Sequence, residues 1–354
     1  MLYLALLLLL LALAGALLHP FGLLLRSLPV EGPAVSVVHA ASSFLAHLLL
    51  WSLLAGLAFA LVLVFNGRRP ARRSLQGSDW GLQRMRLPWA DAGPPQVVVA
   101  MTAYNHAGSI VQAVQEFLQQ PGVLEVIVVD NNSTDGTAEL AAAAGARVVR
   151  ERQQGYGYTC IRGLKEALAV PGANVIVLVE GDGTFSARDL AKFQAYLEHA
   201  DMVIGTRTVP GLVERGSQMD IFFTWGNIFI GTLLRLRFWD AHFLGKARFT
   251  DVGCTYRAIR REALACILPH LQVGGNHFSP HMLLVALAHG LGVIEIPITF
   301  WRRVGQSKGA SQSLWKGLQV GLVMIWHILT YRPRWGTGAI RFPLPAAAEQ
   351  ERKT

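Results

Sequence analysis

The sequence predicts an α/β domain with a mostly parallel, doubly wound sheet, preceded by an apolar region that is expected to lie in a membrane. From residue 96 onward, short β-branched runs alternate with segments of helical spacing, which is typical of a parallel sheet. Several of these runs end in polar or acidic residues, as strands of open α/β sheets do where they bind a ligand. The first 66 residues contain only two ordinary charges, Arg26 and Glu31, and this composition predicts the membrane region.

Composition and charge favour a membrane partner over nucleic acid. The chain has 354 residues, a hydrophobic fraction of 52% and a formal net charge of +9, a balance that fits either partner. Because arginines cluster directly after an apolar segment, the membrane is favoured and no nucleic-acid partner is expected. Cys160, Cys254 and Cys266 show no metal-ligand spacing and are expected to be reduced thiols of the cytosol.

Residues 1–66 are predicted to form two transmembrane helices. The apolar runs 2–25 and 40–65 are each long enough to cross a bilayer. The basic linker 67–95 begins with four arginines within six positions, from Arg68 to Arg73, and the positive-inside rule places it in the cytoplasm. We therefore expect a multi-pass protein of the cell's inner (cytoplasmic) membrane, with its α/β domain in the cytoplasm. A cleaved signal peptide is the alternative for the first run.

The elements of the α/β domain are predicted in order from apolar periodicity. Strands are expected at 97–105, 123–130, 146–150, 175–180, 201–207 and 293–301, and helices at 109–119, 137–144, 186–199, 221–239 and 281–289. The glycine-rich run from residue 153 is expected to become a helix, and the segment 250–264 to enter a further helix. Ser109 is predicted to cap the first helix of the domain.

Two apolar helical stretches are expected to lie on the membrane surface. One lies near 217–239, where the alternative is a core helix, and the other is followed by a polar tail in the region 311–354. The stretch 314–331 carries Lys316 and His327 and is short for a span, so a third membrane crossing is the alternative there.

The stretch VIVLVEGDGT, residues 175–184, carries the clearest chemical signal. A buried apolar strand runs into Glu180 and Asp182, which period-two alternation places on the same side of the backbone. Gly181 and Gly183 permit a turn and a close approach. Two carboxylates in this arrangement suit a divalent cation that also holds phosphate oxygens, and the alternative is a plain polar turn. Neighbouring strands are expected to bring Tyr104 and Asp130 to the same edge.

Seven blocks in the chain carry a resemblance to a known family. They are TAYNHAGSI, VIVVDNNSTDGT, GYG, VEGDGT, DMVIGTR, TDVGCTYRAIRREAL and EIPITFWRRVGQSK, in that order between residues 97 and 308. Together they resemble family 2 glycosyltransferases with the GT-A fold, and most of all the dolichyl/polyprenyl-phosphate mannosyl- and glucosyltransferase branch. The resemblance implies a Rossmann-like GT-A domain over residues 96–310. The Gln-x-x-Arg-Trp motif of processive synthases is absent, which favours transfer of a single sugar.

Three motifs depart from the pattern of the family. Glu180 stands where the first aspartate of the acidic triplet is usual, and Thr102 and His106 replace the proline and the glutamate of a Pro-Ala-Tyr-Asn-Glu block. His281 stands where relatives often have a glutamate. Glutamate still binds a cation, so the first change is mild, whereas the third leaves the acceptor open. On sequence grounds His281 is more structural than catalytic.

The resemblance also implies roles for individual residues. One group would contact the nucleotide of a UDP- or GDP-sugar donor: Thr102, Tyr104, Asn105, Asp130, Asn132, Glu180 and Arg207. Asp182, assisted by Glu180, would hold Mg²⁺ or Mn²⁺. A second group would contact the acceptor or its phosphate: Arg303, Ser307 and Lys308. Asp182, Asp251, Arg303 and Lys308 form the predicted catalytic set, in which Asp251 is either a general base or a helix N-cap.

The favoured function is a membrane-anchored, metal-dependent, inverting transferase. It would move one sugar from a nucleotide sugar to polyprenyl phosphate at the cytoplasmic membrane face. A lipid hydroxyl, as in diacylglycerol-type glycolipid synthesis, is the alternative acceptor, and a non-catalytic nucleotide-binding membrane scaffold is the alternative class. A dinucleotide-binding oxidoreductase would need G-x-G-x-x-G after the first strand, and TAYNHAG does not supply it.

Overall fold

The computed structural model describes Leu50 and residues 95–238, 248–305 and 313–332. The predicted spans of region 1–66 and the linker 67–95 lie outside the described residues, except for Leu50 and Pro95. In the described part of the chain, no helix combines the length and the apolar character that crossing a membrane requires. The described residues from 95 onward belong to one compact unit.

A seven-stranded sheet forms the centre of this unit, with the order β3-β2-β1-β4-β6-β5-β7. The strands are β1 (Val97–Ala103), β2 (Val123–Asp130), β3 (Arg147–Arg150), β4 (Val175–Glu180), β5 (Met202–Thr206), β6 (Arg257–Arg260) and β7 (Val293–Pro297). All neighbours are parallel except that β6 runs antiparallel to both β4 and β5. The prediction of a mostly parallel α/β sheet is therefore confirmed.

Strand β6 was not predicted from the sequence. The segment 250–264 was expected to lead only into a helix, but four of its residues, Arg-Ala-Ile-Arg, pair with β4 and β5 in the middle of the sheet. A strand of four residues with an arginine at each end offers no apolar run or alternation for a pattern to detect. Arg257 is nevertheless 1% exposed, because its guanidinium is satisfied by carbonyl oxygens inside the protein.

Eight helices within the described residues flank the sheet or extend from it. They are α1 (Ile110–Leu118), α2 (Thr137–Ala143), α3 (Tyr156–Ala169), α4 (Leu190–Leu197), α5 (Ile221–Arg237), α6 (Arg261–Ile267), α7 (Phe278–Ala288) and α8 (Leu314–Thr330). Strand β1 is buried along its whole length. Val97, Val99 and Met101 share a core cluster with α1, while a Cβ on Gly163 of α3 would lie 3.1 Å from that of Ala100. Both faces of the sheet are thus covered, which explains its continuous apolar strands.

Helices α5 and α8 pack against each other. Arg237, at the end of α5, donates to the carbonyl oxygens of Leu329, at 2.9 Å, and of Tyr331. Each helix begins at a side-chain cap: Asp220 accepts from Phe223 N at 2.9 Å and Ser313 accepts from Lys316 N at 3.2 Å. These bonds satisfy backbone groups that a helix end would otherwise leave open.

Candidate active site

The carboxyl ends of β1, β2 and β4 form one edge of the sheet, as predicted. The register pairs Ala103 with Asp130 and Thr102 with Glu180. Polar groups from three strands therefore lie side by side at the position where open α/β sheets bind ligands.

The glycines of the acidic triplet are required by packing and backbone geometry. A Cβ on Gly181 would approach Ile110 Cδ1 to 2.6 Å, and Gly183 has φ +77°, a conformation that side chains disfavour. Ser109 was expected to cap α1, but its hydroxyl donates instead to Gly181 O at 2.8 Å and forms no cap bond. This serine ties the start of α1 to the triplet.

Asp182 is fully buried at this edge. One carboxylate oxygen, Oδ1, accepts from the backbone N and the hydroxyl of Thr184, at 3.0 and 2.6 Å. The other oxygen, Oδ2, accepts no hydrogen bond and instead forms an ion pair with the guanidinium of Arg303. The position of Asp182 is thus fixed through one oxygen while the other stays directed at a positive charge.

Glu180 and Asp182 converge on the same cation. Nη2 of Arg303 contacts Glu180 Oε2 at 3.0 Å and also Asp182 Oδ2. The second oxygen of Glu180, Oε1, accepts from the hydroxyl of Thr255 at 2.6 Å. A single nitrogen atom therefore marks a point that both carboxylates can reach, in agreement with the predicted placement of the two on one side of the backbone.

These residues fit a divalent cation. Glu180 Oε2 and Asp182 Oδ2 meet at one positive group, and Asp182 Oδ2 is buried without a hydrogen bond. Carboxylate oxygens are hard ligands of the kind that Mg²⁺ and Mn²⁺ take. Two protein ligands suit a cation that completes its coordination with water and substrate phosphates. Among the described residues, no group of three or more His, Cys, Asp or Glu side chains is arranged to hold a metal.

The residues predicted to contact a nucleotide lie around the ends of β1 and β2. Tyr104 is 38% exposed and presents an aromatic ring beside the edge. Asp130 is buried and accepts from Ser133 N at 3.2 Å, while Thr102 is buried within β1. Asn105, in the left-handed region at φ 54°, uses its side-chain oxygen to accept from Thr134 N at 2.8 Å. Asn105 therefore shapes the turn after β2.

Two asparagines after β2 hold the glycine-rich turn in place. Asn131, which the sequence analysis did not single out, accepts from Gly155 N at 2.9 Å and donates to Glu151 O and Gln153 O, both at 2.9 Å. Asn132 donates to Arg152 O at 3.0 Å. The side chain of Asn132, predicted to contact the nucleotide, is thus engaged with this loop.

Asp135 holds the turn between β2 and α2 in place. Its carboxylate accepts from the backbone N of Ala107 and of Thr137, both at 3.1 Å. Burial tends to raise the pKa of this carboxyl, but the bonds from Thr137 and Ala107 lower it overall. The turn is therefore held by an ionised side chain.

Arg207 and Asp251 form a buried ion pair at the end of β5. Arg207 donates to both oxygens of Asp251, from Nε at 2.7 Å and Nη2 at 2.9 Å, and its backbone N donates at 3.0 Å. Burial lowers the pKa of Arg207, but the charge and bonds of Asp251 outweigh this and raise it. Asp251 is fully buried. Both carboxylate oxygens of Asp251 are thus engaged by Arg207. Asp251 does not lie at the start of a helix, so the helix N-cap alternative is wrong, while the role of general base stays a prediction.

Glu295 of β7 supports the same loop, a contribution that the sequence analysis missed. It accepts from the backbone N of Thr250 and of Asp251, with shortest distances of 2.8 and 2.9 Å. Burial raises the pKa of Glu295 to about 7, with a further contribution from Asp251, and the hydrogen bonds oppose the shift. The loop that carries Asp251 is thus held by two carboxylates that share a buried environment.

The basic block after β7 is only partly described. Arg303 contacts the acidic pair, whereas Ser307 and Lys308 lie outside the described residues. Arg303 uses Nη2 for both carboxylates, and its contact with an acceptor phosphate stays a prediction.

His281 connects α7 to α8. Its Nδ1 lies 3.0 Å from Nε2 of His327, and the backbone N of Gln272 lies 3.3 Å from its Nε2. Burial, together with the like charges of neighbouring rings or of Arg237, lowers the pKa of both histidines to about 4. At neutral pH both rings are uncharged, which agrees with the structural role expected for His281.

Comparison with known sequences assigns this fold and this edge of paired carboxylates to a glycosyltransferase. The sequence model of glycosyl transferase family 2 matches residues 98–268, which contain β2 to β6 and all of β1 except Val97. The dolichyl-phosphate hexose transferase of Haloferax volcanii is 30% identical over 216 residues, covering 60% of this chain and 86% of its own length. The chain belongs to family 2 of the glycosyltransferases, as its motifs implied.

A further named relative agrees with this family, and solved structures share the fold. The undecaprenyl-phosphate mannosyltransferase of Micrococcus luteus is 27% identical over 223 residues, or 60% of this chain and 87% of its own. Crystal structures of glucosyl-3-phosphoglycerate synthase from Mycobacterium tuberculosis share the fold. The complex with Mn²⁺, UDP-glucose and glycerol 3-phosphate has a TM-score of 0.50 at 17% identity, covering 69% of this chain and 83% of that one.

Proposed function

We propose that this glycosyltransferase moves one sugar from a UDP- or GDP-sugar to polyprenyl phosphate at the cytoplasmic face of the inner membrane, with inversion at the anomeric carbon. One observation carries the proposal: Glu180 and Asp182 meet at a single cationic atom on the ligand-binding edge of the sheet. Mg²⁺ or Mn²⁺ held there by these two residues would neutralise the leaving diphosphate.

The chemistry exchanges one bond at the anomeric carbon for another. An acceptor oxygen forms a bond to that carbon, and the bond to the diphosphate oxygen breaks, so that a nucleoside diphosphate leaves. Tyr104 is exposed beside the edge and is placed to stack on the base, while Asp130 at the end of β2 is placed to accept a hydrogen bond from it. Arg303 is placed to contact the phosphate groups, because its guanidinium lies at the point where the two carboxylates meet and guanidinium groups bind phosphate oxygens.

The state of Asp251 favours a phosphate acceptor over a lipid hydroxyl. A hydroxyl acceptor needs a general base within hydrogen-bond reach, but the predicted base has both oxygens engaged by Arg207. A phosphate acceptor is already ionised near neutral pH and needs no such base. The curated relatives named above act, by name, on undecaprenyl phosphate and dolichyl phosphate, and the basic block ending in Lys308 suits a phosphate.

Product analysis tests this function. The purified full-length chain is incubated with UDP- and GDP-sugars, Mn²⁺ or Mg²⁺, and either undecaprenyl phosphate or diacylglycerol, and products are identified by mass spectrometry. We expect a singly glycosylated polyprenyl phosphate and no glycosylated diacylglycerol, whereas the reverse would establish the hydroxyl acceptor. An Asp182→Asn protein is the matched inactive control. Nucleotide binding without any product from either lipid would support the scaffold alternative.

The outer face of α5 and α8 is proposed to lie on the membrane. Both helices expose large apolar side chains, among them Trp225 at 66% and Trp326 at 70%. The others are Ile221, Phe222 and Phe229 on α5 and Leu314, Trp315, Leu318, Leu322 and Val323 on α8. A contiguous apolar surface of this kind, rich in tryptophan, is typical of a membrane interface. Together with the two predicted spans in residues 1–66, it would hold the edge of the sheet near a lipid acceptor.

Spin labels test this orientation in the full-length chain reconstituted into lipid vesicles. A label at Trp326→Cys should become accessible to dissolved oxygen and protected from a water-soluble nickel complex. Tyr196→Cys on α4 is the control, because Tyr196 is also an exposed aromatic residue, at 48%, but lies outside this face. Both variants are made in a Cys266→Ser background, since Cys160 and Cys254 are buried. Equal nickel accessibility at the two positions would rule the orientation out.

A further inference from the structure

Three hydroxyl groups form a continuous chain that ends at Glu180. The Thr255 hydroxyl donates to Glu180 Oε1 at 2.6 Å. The Tyr156 hydroxyl lies 2.5 Å from Thr255 Oγ1, and the Ser279 hydroxyl lies 3.2 Å from that of Tyr156. These residues come from the first turn of α3, the loop before β6 and the first turn of α7.

The proton positions in this chain follow from chemistry. An ionised carboxylate only accepts hydrogen bonds, so Thr255 must donate its single hydroxyl proton to Glu180. Tyr156 must then donate to Thr255, and Ser279 to Tyr156. Every hydroxyl in the chain therefore points its proton toward the carboxylate, and bonds aligned in this way strengthen one another.

The register of the sheet builds the last link of the chain. Strands β4 and β6 are antiparallel, with Leu178 opposite Arg257, and continuing this register by two residues brings Thr255 opposite Glu180. Arg257 links the two segments that carry Thr255 and Ser279, because its guanidinium donates to Cys254 O at 2.9 Å and to Ser279 O at 2.6 Å. Thr255 and Ser279 are each 2% exposed, so water does not compete readily for these bonds.

We propose that Thr255, supported by Tyr156 and Ser279, is a positioning residue that selects which oxygen of Glu180 faces the metal and nucleotide. Glutamate has one more rotatable bond than aspartate, so its carboxylate needs an additional restraint at this position. Thr255 occupies Oε1 and leaves Oε2 directed at the point that Arg303 occupies. The inference rests on the proposed metal site and deepens it.

Metal binding by the full-length protein in detergent tests the inference. Free Mn²⁺ is measured by electron paramagnetic resonance with UDP or GDP present, and thermal unfolding is recorded for each variant. Thr255→Val keeps the shape and removes the hydroxyl, and it should weaken Mn²⁺ binding by about 10- to 100-fold, as loss of such outer partners does. Thr255→Ser should restore binding. Thr159→Val is the matched control, because Thr159 is also 2% exposed but its hydroxyl donates to Gly155 O within its own helix.

A double-mutant comparison separates positioning from a general structural effect. In a Glu180→Gln background, Thr255→Val should weaken Mn²⁺ binding no further, because the carboxylate on which it acts is absent. Should Thr255→Val fail to fold, Tyr156→Phe takes its place and should weaken binding by a smaller factor. Thr255→Val and Tyr156→Phe proteins that bind Mn²⁺ like the wild type would overturn the inference.

A further control distinguishes this inference from the proposed metal site itself. Asp182→Asn should abolish the nucleotide-dependent binding of Mn²⁺. If Asp182→Asn binds Mn²⁺ as the wild type does, the proposed metal site is wrong and the inference fails with it. If Asp182→Asn loses binding while the Thr255 and Tyr156 variants keep it, the inference alone fails.

Discussion

Neutralising Asp251 distinguishes a buried structural pair from a general base. Asp251→Asn preserves the shape of the side chain but removes its negative charge. In the wild type this carboxylate accepts three hydrogen bonds from Arg207, from Nε at 2.7 Å, Nη2 at 2.9 Å and the backbone N at 3.0 Å. Asp251 is fully buried and the Arg207 side chain only 14% exposed, so the guanidinium would be left without a counter-charge in a poorly solvated site. Breaking one partner of such a pair costs about 3–5 kcal/mol, a large part of the ~5–15 kcal/mol by which a domain is stable.

Urea unfolding followed by tryptophan fluorescence measures this loss, and turnover is measured on the folded fraction. We expect the free energy of unfolding to fall by about 3–5 kcal/mol while the folded protein keeps most of its turnover. The Arg207→Met, Asp251→Leu double variant should recover stability, because an apolar pair of similar volume can replace a buried ion pair. An Asn variant with unchanged stability and turnover about 10²- to 10⁴-fold lower would refute this reasoning and identify Asp251 as a general base.

Three further outcomes are expected from the site and its supporting residues. Asp182→Asn, or excess chelator, should lower turnover by orders of magnitude, and full activity in chelator would exclude the metal. The pKa values of His281 and His327 are lowered from 6.5 to about 4 by burial and like charges. The stability they contribute is therefore complete above pH 6.5 and lost as the pH falls through 4. After correction for the intrinsic pH dependence of amide exchange, the protection factors of α8 should fall on acidification and His327→Gln should flatten that response, whereas equal protection factors at neutral and acid pH would contradict it. The pKa of Glu295 is instead raised from 4.5 to about 7. Its contribution is complete below pH 4.5 and lost as the pH rises through 7. The unfolding free energy of Glu295→Gln should lack that slope, and identical slopes in both proteins would count against the shift.

The parts of the fold that the sequence predicted are those encoded by local patterns. Strands β1, β2 and β4 are apolar runs that end in polar residues, so their positions and common edge follow from residues a few places apart. Strong local signals of this kind survive in the folded structure without correction.

The parts that could not be predicted depend on contacts between distant residues. Arg303 and Glu180 are 123 positions apart, and Arg207 and Asp251 are 44 apart. Nothing in the residue types decides whether an arginine binds phosphate or a neighbouring carboxylate, since both present negatively charged oxygens to the guanidinium. The family motifs identified these side chains as important but not what each of them contacts.

The reversed direction of β6 has a consequence for how the site is assembled along the chain. In a wholly parallel sheet, only residues that follow a strand arrive at the ligand-binding edge. Because β6 runs the other way between β4 and β5, residues that precede it arrive there instead, and Asp251 and Thr255 are among them. One side of the site is thus formed by the loop that precedes β6, and the other side by residues that follow β1, β2 and β4. Changes in the loop before β6 can reshape the side that it forms while every strand keeps its register.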